Sequence, residues 1–242
     1  MKIFFKENAP KRKKIVVISP HPDDMAISVG GTISILSEKN KVYNFVMTTG
    51  YRGVEGNKPK IEKIKIREKE CMEECKILKV NQLFLRLDFY DRGIFSIRDV
   101  KKVSDELSKI KPKIIILPHR KDLHPTHKTS VEILKRALQN YRGNIDLWEY
   151  ESLWRLFANN EYNLSFYFPE SIMEKKLKAI LAHKSQIKRN RYDVAAKSLS
   201  ALRSVIVAEQ GIGGYGKRKK LPPYAEVFRK SKLQEFLGVS FF

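Results

Sequence analysis

The chain has 242 residues, of which 42% are hydrophobic, and this composition suits one large folded domain and excludes a mostly disordered protein. The formal net charge of +21 favours contact with anions, but the basic residues are spread along the whole chain, as on an ordinary solvated surface. No apolar run approaches the roughly 18 residues of a membrane span, and Lys6 interrupts the N-terminus too early for a signal peptide. The sequence therefore predicts a soluble, cytoplasmic protein.

Apolar and charged residues predict an alternation of strands and helices through the first two thirds of the chain. This alternation favours an α/β fold with a mostly parallel sheet, doubly wound, with helices on both faces. The predicted strands are Lys14–Ser19, Val42–Thr48, Gln82–Leu87, Lys113–Leu117, Leu147–Leu153 and Leu164–Phe168. The predicted helices are Ala26–Leu36, Ile61–Leu78, Asp99–Ile110, His127–Leu138, Ile172–Gln186 and Tyr192–Ala208.

We find no internal repeat and no change in composition that would mark a second domain. We therefore predict one domain over residues 1–242, with residues 1–12 as a loose leader and residues from about 145 to 242 as a C-terminal elaboration of the same sheet. The glycine-rich stretch Gly211–Gly216 and the basic residues after it are expected to form a loop and a tail. Cys71 and Cys75 are the only cysteines, and we expect two partly buried residues on one helix face.

Four of the five histidines fall in two short segments, Ser19–Asp24 and His119–His127. Each segment follows a predicted strand and precedes a predicted helix, so both should lie at the carboxyl ends of strands, where α/β proteins bind ligands. Taken alone, either motif has a simpler explanation: Asp23 or Asp24 could merely cap a helix, and loop histidines are common. Together, at two strand-to-helix junctions, they predict a functional site.

His21, Asp24 and His127 form a set of two imidazoles and one carboxylate that suits a catalytic zinc ion. Such an ion keeps one position open for a water molecule, whose pKa it lowers to about 7. We expect one zinc ion per chain, although iron, cobalt or manganese would accept the same ligands.

Three further residues of the two segments have side chains that could assist a hydrolytic reaction. Asp23 is the candidate general base, since it neighbours a ligand in the sequence but should point elsewhere. His124 is the candidate donor of a hydrogen bond or proton to the oxyanion or the leaving amine. Asp122 is expected to orient an imidazole, whereas no direct role is expected for His119.

With these residues the sequence resembles the LmbE-like, PIG-L-type zinc-dependent N-deacetylases. The family pattern is a strand, A-H-P-D-D, a helix with G-G-T and a later D-x-H-P-D-H. The matching residues here are Pro20–Asp24, Gly30–Thr32 and Asp122–His127. The resemblance implies a Rossmann-like fold, zinc at His21, Asp24 and His127, and removal of an acetyl group from a glucosamine unit. The wording of the motifs is nearest the branch of diacetylchitobiose and N-acetylglucosamine deacetylases.

Supporting matches extend the resemblance over roughly residues 14–228, including Arg67 with Glu70, the run Asp91–Gly93 and His183–Gln186. Three positions depart from the family pattern: Pro20 replaces the usual alanine, Met25 a frequent glutamate and Thr126 the aspartate of H-P-D-H. None of these departures removes a predicted ligand.

The sequence also offers candidates for residues that contact the substrate. By resemblance we expect Arg67 and Asp91 to contact the sugar, but Arg67 could equally form a helix-surface pair with Glu70 or Glu68. The glycine-containing loop Thr49–Lys60 suits a mobile lid over the site. His183 could be a packed or solvent-facing histidine without function.

Two other functions remain open at this point. A zinc hydrolase acting on a different, anionic acylated sugar, phosphorylated or nucleotide-linked, would make use of the positive charge. A basic nucleic-acid-binding protein with a vestigial site has only the charge in its favour, and the sequence contains no recognisable nucleic-acid-reading motif. We therefore expect a small amino-sugar substrate, no nucleic acid partner and, because family members are often oligomeric, a homo-oligomer.

Overall fold

The computed structural model describes residues 1–211 and 221–238. Within them the strands form one sheet and helices cover both of its faces. The strands are β1 Lys2–Phe4, β2 Lys14–Ser19, β3 Lys41–Val46, β4 Asn81–Phe84, β5 Ile114–Pro118, β6 Asp146–Tyr150, β7 Leu164–Phe168 and β8 Tyr224–Lys232. The helices are α1 Asp24–Leu36, α2 Lys60–Leu78, α3 Phe89–Arg92, α4 Ile97–Ile110, α5 Pro125–Leu138, α6 Glu170–Leu181, α7 Lys184–Ile187, α8 Tyr192–Gly211 and α9 Leu233–Leu237, with a 3-10 turn at Tyr51–Gly53.

The order of the strands places β2 between β3 and β5 in the middle of the sheet. From β2 the chain moves outward to β3 and β4, and then returns to the opposite side of β2 to form β5. All these neighbours are parallel, so the carboxyl ends of β2 and β5 lie at the same edge, on either side of the point where the winding reverses. A crevice at this point is therefore built into the topology.

Both faces of the sheet are apolar because the central strands are rich in β-branched residues throughout. Ile15 and Val17 of β2 join a core under α1, α2 and α6, while Val16 and Ile18 join a second core under α4, α5 and α9. The predicted α/β fold, with a mostly parallel sheet and helices on both faces, is confirmed. No helix of the described residues has both the length and the apolar character that crossing a membrane would require.

The prediction of a loose leader over residues 1–12 is wrong for its first part. Residues Lys2–Phe4 form an edge strand that pairs in parallel with β7. Phe4 is buried, and its ring lies 4.9 Å from that of Phe166 and 6.3 Å from that of Trp148. A three-residue strand has no readable periodicity, so only this long-range aromatic packing reveals it.

The C-terminal third continues the same sheet through β6, β7 and β8, with β8 antiparallel to both of its neighbours. The predicted helix Ile172–Gln186 is two helices, α6 and α7, which are separated at Ala182 and His183. Gly211 ends α8, and residues 212–220, which include the rest of the predicted glycine-rich loop, lie outside the described residues. The prediction of a tail is wrong for residues 221–238, because they form β8 in the sheet and then α9. The division into a single domain stays a prediction.

The G-G-T motif lies where α1 crosses closest to the C-terminal strands. The backbone N–H groups of Gly31 and Thr32 donate to the carboxylate of Glu226 at 3.0 and 2.7 Å, and Lys176 pairs with the same carboxylate at 2.7 Å. A Cβ atom on Gly31 would lie 2.4 Å from Cζ of Phe168. This motif therefore has a structural explanation in close packing.

We expect Gly31→Ala to lower the free energy of unfolding by about 1–3 kcal/mol, because the ring of Phe168 is fixed in the core. Gly30→Ala is the matched control, since its added Cβ would lie 3.0 Å from Cγ of the Lys176 side chain, and alanine is favoured in a helix by about 1 kcal/mol. Urea denaturation of the two variants measures the difference. Equal stability of the two variants would contradict this explanation.

Candidate metal centre and active site

The two histidine-containing segments meet at the crevice between β2 and β5. His21 follows β2, and His124 and His127 lie at the start of α5, after β5. The ring centroid of His21 lies 4.8 Å from that of His124 and 5.4 Å from that of His127. Residues about one hundred positions apart in sequence thus share one small volume at the sheet edge.

Asp24 lies between two of these rings. Its Oδ2 is 3.3 Å from Nδ1 of His21 and accepts the backbone N–H of His21 at 2.6 Å, while its Oδ1 is 3.3 Å from Nε2 of His127. Burial alone would raise the pKa of Asp24, but the charge and hydrogen bond of His127, with help from His21, hold it well below the usual value. Asp24 is therefore an ionised carboxylate next to two imidazole nitrogens.

The cluster fits a divalent metal ion. His21, His124 and His127 each offer a ring nitrogen, and these atoms lie within 4.8 Å of one another. The predicted set differs by using Asp24 in place of His124. Two donors that share a tetrahedral zinc ion lie about 3.4 Å apart, given bonds of about 2.1 Å. Asp24 lies 3.3 Å from each ring, through Oδ2 to His21 and through Oδ1 to His127, which is close to that spacing for each pair taken separately.

The ring of His127 is held from behind by Asp122. Nδ1 of His127 lies 2.9 Å from Oδ2 of Asp122, which also accepts the hydroxyl of Ser152 at 2.6 Å. Because a carboxylate can only accept, the Nδ1 proton points to Asp122 and Nε2 faces Asp24. Burial would lower the pKa of His127, but Asp24 and Asp122 raise it to about 10.

His124 occupies the N-cap of α5 and is held differently. Its Nδ1 accepts the backbone N–H of Thr126 at 3.2 Å, and Pro125 begins the helix. An amide N–H can only donate, so the ring proton of neutral His124 must be on Nε2. Burial, together with the nearby His21 and His127, lowers the pKa of His124 to about 4. The ring is thus neutral at pH 7.

Asp23 stands at the N-cap of α1, but its side chain makes no capping hydrogen bond. Its Oδ1 instead accepts from Nη2 of Arg67 at 2.7 Å, and Nη1 of Arg67 lies 3.5 Å from Glu70. Burial would raise the pKa of Asp23, but Arg67 lowers it below the usual value. The simple explanation of Asp23 as a helix cap therefore fails in this structure.

Arg67 is 1% exposed, so the alternative of a helix-surface pair is wrong. The sequence does not reveal that the face of α2 that carries Arg67 and Glu70 is turned toward the site. Burial would lower the pKa of the guanidinium, but the charges of Asp23 and Glu70 raise it above its usual value. Arg67 Nε and Nη1 have no hydrogen-bond partner among the described residues.

A buried polar layer continues from Arg67 along α2 to the turn between α6 and α7. Ser185 donates its N–H and its hydroxyl to Glu70, each at 2.7 Å. His183 lies 2.6 Å from Glu74 through Nε2 and is 1% exposed, so it is packed and does not face solvent. Burial raises the pKa of Glu74 to about 8, although His183 acts in the opposite direction.

A cavity of about 480 Å³ opens over the cluster, a size that suits a small ligand. The predicted residues His21, Asp23, Asp24, Arg67, His124 and His127 all line it. Several other residues that line the cavity were not predicted from the sequence. They include Arg52, Tyr90, Ser152, Trp154, Arg189 and Tyr192. Gln186 also lines the cavity without having been predicted, although it lies in a segment that matches the family.

Asp91, Asp122 and His119 do not line this cavity. Asp91 is exposed and binds the Tyr51 hydroxyl at 2.9 Å and Lys60 at 2.7 Å. His119 is buried, with its ring 4.9 Å from that of Phe157, in keeping with the expectation of no direct role. From the predicted lid Thr49–Lys60, residues 50, 52 and 53 line the cavity, and the movement of this loop stays a prediction.

Comparison with known proteins agrees with the predicted resemblance. Diacetylchitobiose deacetylase of Thermococcus kodakarensis is 27% identical over 210 residues, which cover 80% of this chain and 78% of that protein. A probable N-acetyl-alpha-D-glucosaminyl L-malate deacetylase 2 of Bacillus cereus is 28% identical over 138 residues, covering 52% of this chain and 61% of that protein.

The fold has a solved counterpart in N,N'-diacetylchitobiose deacetylase from Pyrococcus horikoshii. The TM-score is 0.71 at 24% identity, over 90% of this chain and 84% of that one. The family model PIG-L, described as GlcNAc-PI de-N-acetylase, matches residues 16–138, which is just over half of the chain and includes both histidine segments. The chain therefore belongs to the PIG-L family of de-N-acetylases.

Proposed function

We propose that this protein is a zinc-dependent hydrolase that removes the acetyl group from an N-acetylglucosamine-containing saccharide and releases acetate and a free amine. The observation that carries the proposal is the position of Asp24, 3.3 Å from a nitrogen of His21 and of His127, beside a second buried carboxylate, Asp23. The activity named for the relative from Thermococcus kodakarensis supports this choice of substrate class.

In this proposal His21, Asp24 and His127 hold the metal ion, and Asp122 orients His127. A bound zinc ion supplies Lewis-acid polarisation of the acetyl carbonyl and a lowered pKa for a water ligand. The oxygen and nitrogen donors suit zinc, and the same donors accept iron, cobalt or manganese. His124 stays outside this proposed set, because its Nδ1 accepts the amide N–H of Thr126 and its Nε2 is assigned the proton that it donates to the oxyanion.

Asp23 acts as the general base. Its carboxylate is ionised at neutral pH because Arg67 lowers its pKa against the effect of burial. As the water oxygen bonds to the acetyl carbon, Asp23 takes up the water proton. When the C–N bond breaks, Asp23 returns this proton to the departing amine, so the overall reaction consumes one water molecule.

His124 stabilises the oxyanion that forms on the acetyl oxygen. Its neutral ring carries the proton on Nε2, and this N–H donates a hydrogen bond where negative charge develops. The low pKa of about 4 means that His124 needs no protonation at pH 7 to play this part. Of the two roles predicted from sequence, the geometry thus favours the hydrogen-bond donor over the proton donor.

Contacts of Arg67 and Asp91 with the sugar stay proposals. Arg67 lines the cavity and has an Nε without a hydrogen-bond partner among the described residues, which would suit a substrate hydroxyl. Asp91 does not line the cavity, and its carboxylate accepts the hydroxyl of Tyr51. Assembly into a homo-oligomer and a cytoplasmic location also remain predictions.

An anionic substrate is a second candidate, and one observation favours it. Arg52 lines the cavity. Among the described residues, no carboxylate lies within 4.0 Å of its guanidinium, so it forms no ion pair with them. Its guanidinium instead lies over the ring of Tyr90, 4.9 Å from the centroid. Arg189 lines the same side of the cavity, with Glu55 at 3.6 Å from its Nε.

Two variants test zinc binding and the catalysis of deacetylation separately. We expect about one zinc ion per purified chain, its loss in His127→Ala, and its retention in Asp23→Asn, since the amide keeps the shape of the carboxylate but cannot accept the proton. Both variants should lose deacetylation of N-acetylglucosamine or its dimer. Elemental analysis and acetate release measure the two effects. Full activity of a metal-free His127→Ala protein would disprove the mechanism.

The choice between neutral and anionic substrates is tested with N-acetylglucosamine, its chitin dimer and their phosphates. For the neutral class we expect kcat/KM to be highest on the unphosphorylated dimer and to change little in Arg52→Ala. For an anionic substrate we expect Arg52→Ala to lower kcat/KM by about tenfold on the phosphates only. Acetate detection by mass spectrometry gives the rates.

The pairing of Arg67 with Asp23 predicts an effect on stability as well as on rate. Arg67→Met leaves Asp23 and Glu70 as buried carboxylates without a cation, so we expect the free energy of unfolding to fall by about 3–5 kcal/mol. Arg92→Met is the control, because Arg92 and Asp88 are 49% and 58% exposed, and such pairs contribute about 0.3–0.5 kcal/mol. Chemical denaturation measures both, and similar losses would contradict the assignment.

A further inference from the structure

The protein has two tryptophans, Trp148 and Trp154, and the structure places them in opposite environments. Trp148 is 2% exposed in the core, between Phe4, Phe166 and Phe228. Trp154 is 56% exposed. A large aromatic side chain left in solvent is unusual unless a ligand or a partner covers it.

Trp154 stands at the rim of the catalytic cavity. It lines the cavity together with Leu153, which is 43% exposed. Its ring lies 5.2 Å from the ring of His124, at an angle of 65°, so the edge of one ring meets the face of the other. The rest of the indole surface remains free, directly beside the group that we assign to the oxyanion.

The position of Trp154 is fixed by the site itself. Ser152 and Arg155 exchange two backbone hydrogen bonds of 3.1 Å, which closes a tight turn with Leu153 and Trp154 at its tip. The hydroxyl of Ser152 accepts the backbone N–H of Trp154 at 3.0 Å and donates to Asp122 at 2.6 Å. The indole is therefore held at the cavity in advance of ligand binding, which lowers the entropic cost of using it.

Other residues that line the cavity differ chemically from Trp154. Arg67, Gln186 and Arg189 are among them and offer polar groups for sugar hydroxyls. A pyranose ring has both kinds of surface: hydroxyls around its edge and a face of C–H groups. The C–H face is weakly positive and stacks on the negative face of an indole, with burial of apolar surface adding to the attraction.

We propose that Trp154, supported by Leu153, forms a subsite for the sugar unit attached to the one that is deacetylated. The acetamide must reach the histidine cluster, whose rings are buried or half-buried, whereas Trp154 lines the same cavity with 56% of its surface exposed. The subsite therefore makes a disaccharide a better substrate than a single amino sugar. This proposal rests on the proposed function and specifies the substrate class of the same site.

The first experiment uses binding and needs no turnover. Acrylamide quenches exposed tryptophans, so quenching of the zinc-loaded wild-type protein, minus that of Trp154→Phe, reports Trp154 against the shielded Trp148. We expect the β-1,4-linked glucosamine dimer, the fully deacetylated product, to protect Trp154 from quenching and glucosamine at the same concentration to leave it accessible. Equal protection by both sugars, or by neither, overturns the proposal.

The second experiment compares kcat/KM on the chitin dimer with kcat/KM on N-acetylglucosamine. We expect Trp154→Ala to lower the ratio of the two values about tenfold, as for the loss of one aromatic contact, and Trp154→Phe to restore most of it. Leu202→Ala is the control, because Leu202 is 55% exposed on α8 but does not line the cavity, and it should leave the ratio unchanged. An unchanged ratio in Trp154→Ala overturns the proposal.

A second copy of the chain is the other occupant that could cover Trp154. Light scattering of the same variants tests this: a change of oligomeric state in Trp154→Ala, with the substrate ratio unchanged, assigns the surface to an interface and overturns the subsite. Failure of the proposed function would give a different result. In that case the wild-type protein would deacetylate neither sugar. Quenching of Trp154 would still show whether the dimer binds there.

Discussion

The carboxylate of Asp24 is the group on which the organisation of the site depends. It lies 3.3 Å from nitrogens of both His21 and His127, and it thereby joins the loop after β2 to the helix that follows β5. The winding of the sheet brings these two segments to one edge. The negative charge of ionised Asp24 stabilises the close approach of both imidazoles. A divalent ion would be bound by the same three groups.

The rest of the buried charge is arranged so that each catalytic side chain has a fixed partner. Arg67 holds Asp23, and Asp122 holds His127 and the turn of Ser152. Buried charges that lack partners are costly, so this arrangement keeps the two aspartates of the H-P-D-D motif ionised and pointing in different directions. The two neighbouring aspartates therefore have different proposed roles. Asp24 belongs to the metal ligands, and Asp23 acts on the reacting water.

The sequence predicted what depends on local pattern. Runs such as Lys14–Ser19 indicated buried strands, and the histidine spacing indicated the site, because both signals lie within a few residues. It could not reveal that Asp23 binds Arg67, 44 positions later, because a shared buried contact has no local signature. For the same reason the edge strand at Lys2–Phe4 and the placement of the Trp154 turn were missed. The strand depends on β7, and the turn is anchored by the hydrogen bond from Ser152 to Asp122, 30 positions earlier.

The departure from the family pattern at Thr126 illustrates how far a motif can change while its geometry persists. The neutral ring of His124 keeps its proton on Nε2 because Nδ1 accepts a hydrogen bond, and the donor here is the backbone N–H of Thr126. Any residue other than proline supplies that N–H at the start of a helix, so the side chain at this position is free to vary. The neutral hydrogen-bond donor is therefore set by the backbone of α5, and with His124 neutral, proton transfer to the leaving amine falls to Asp23.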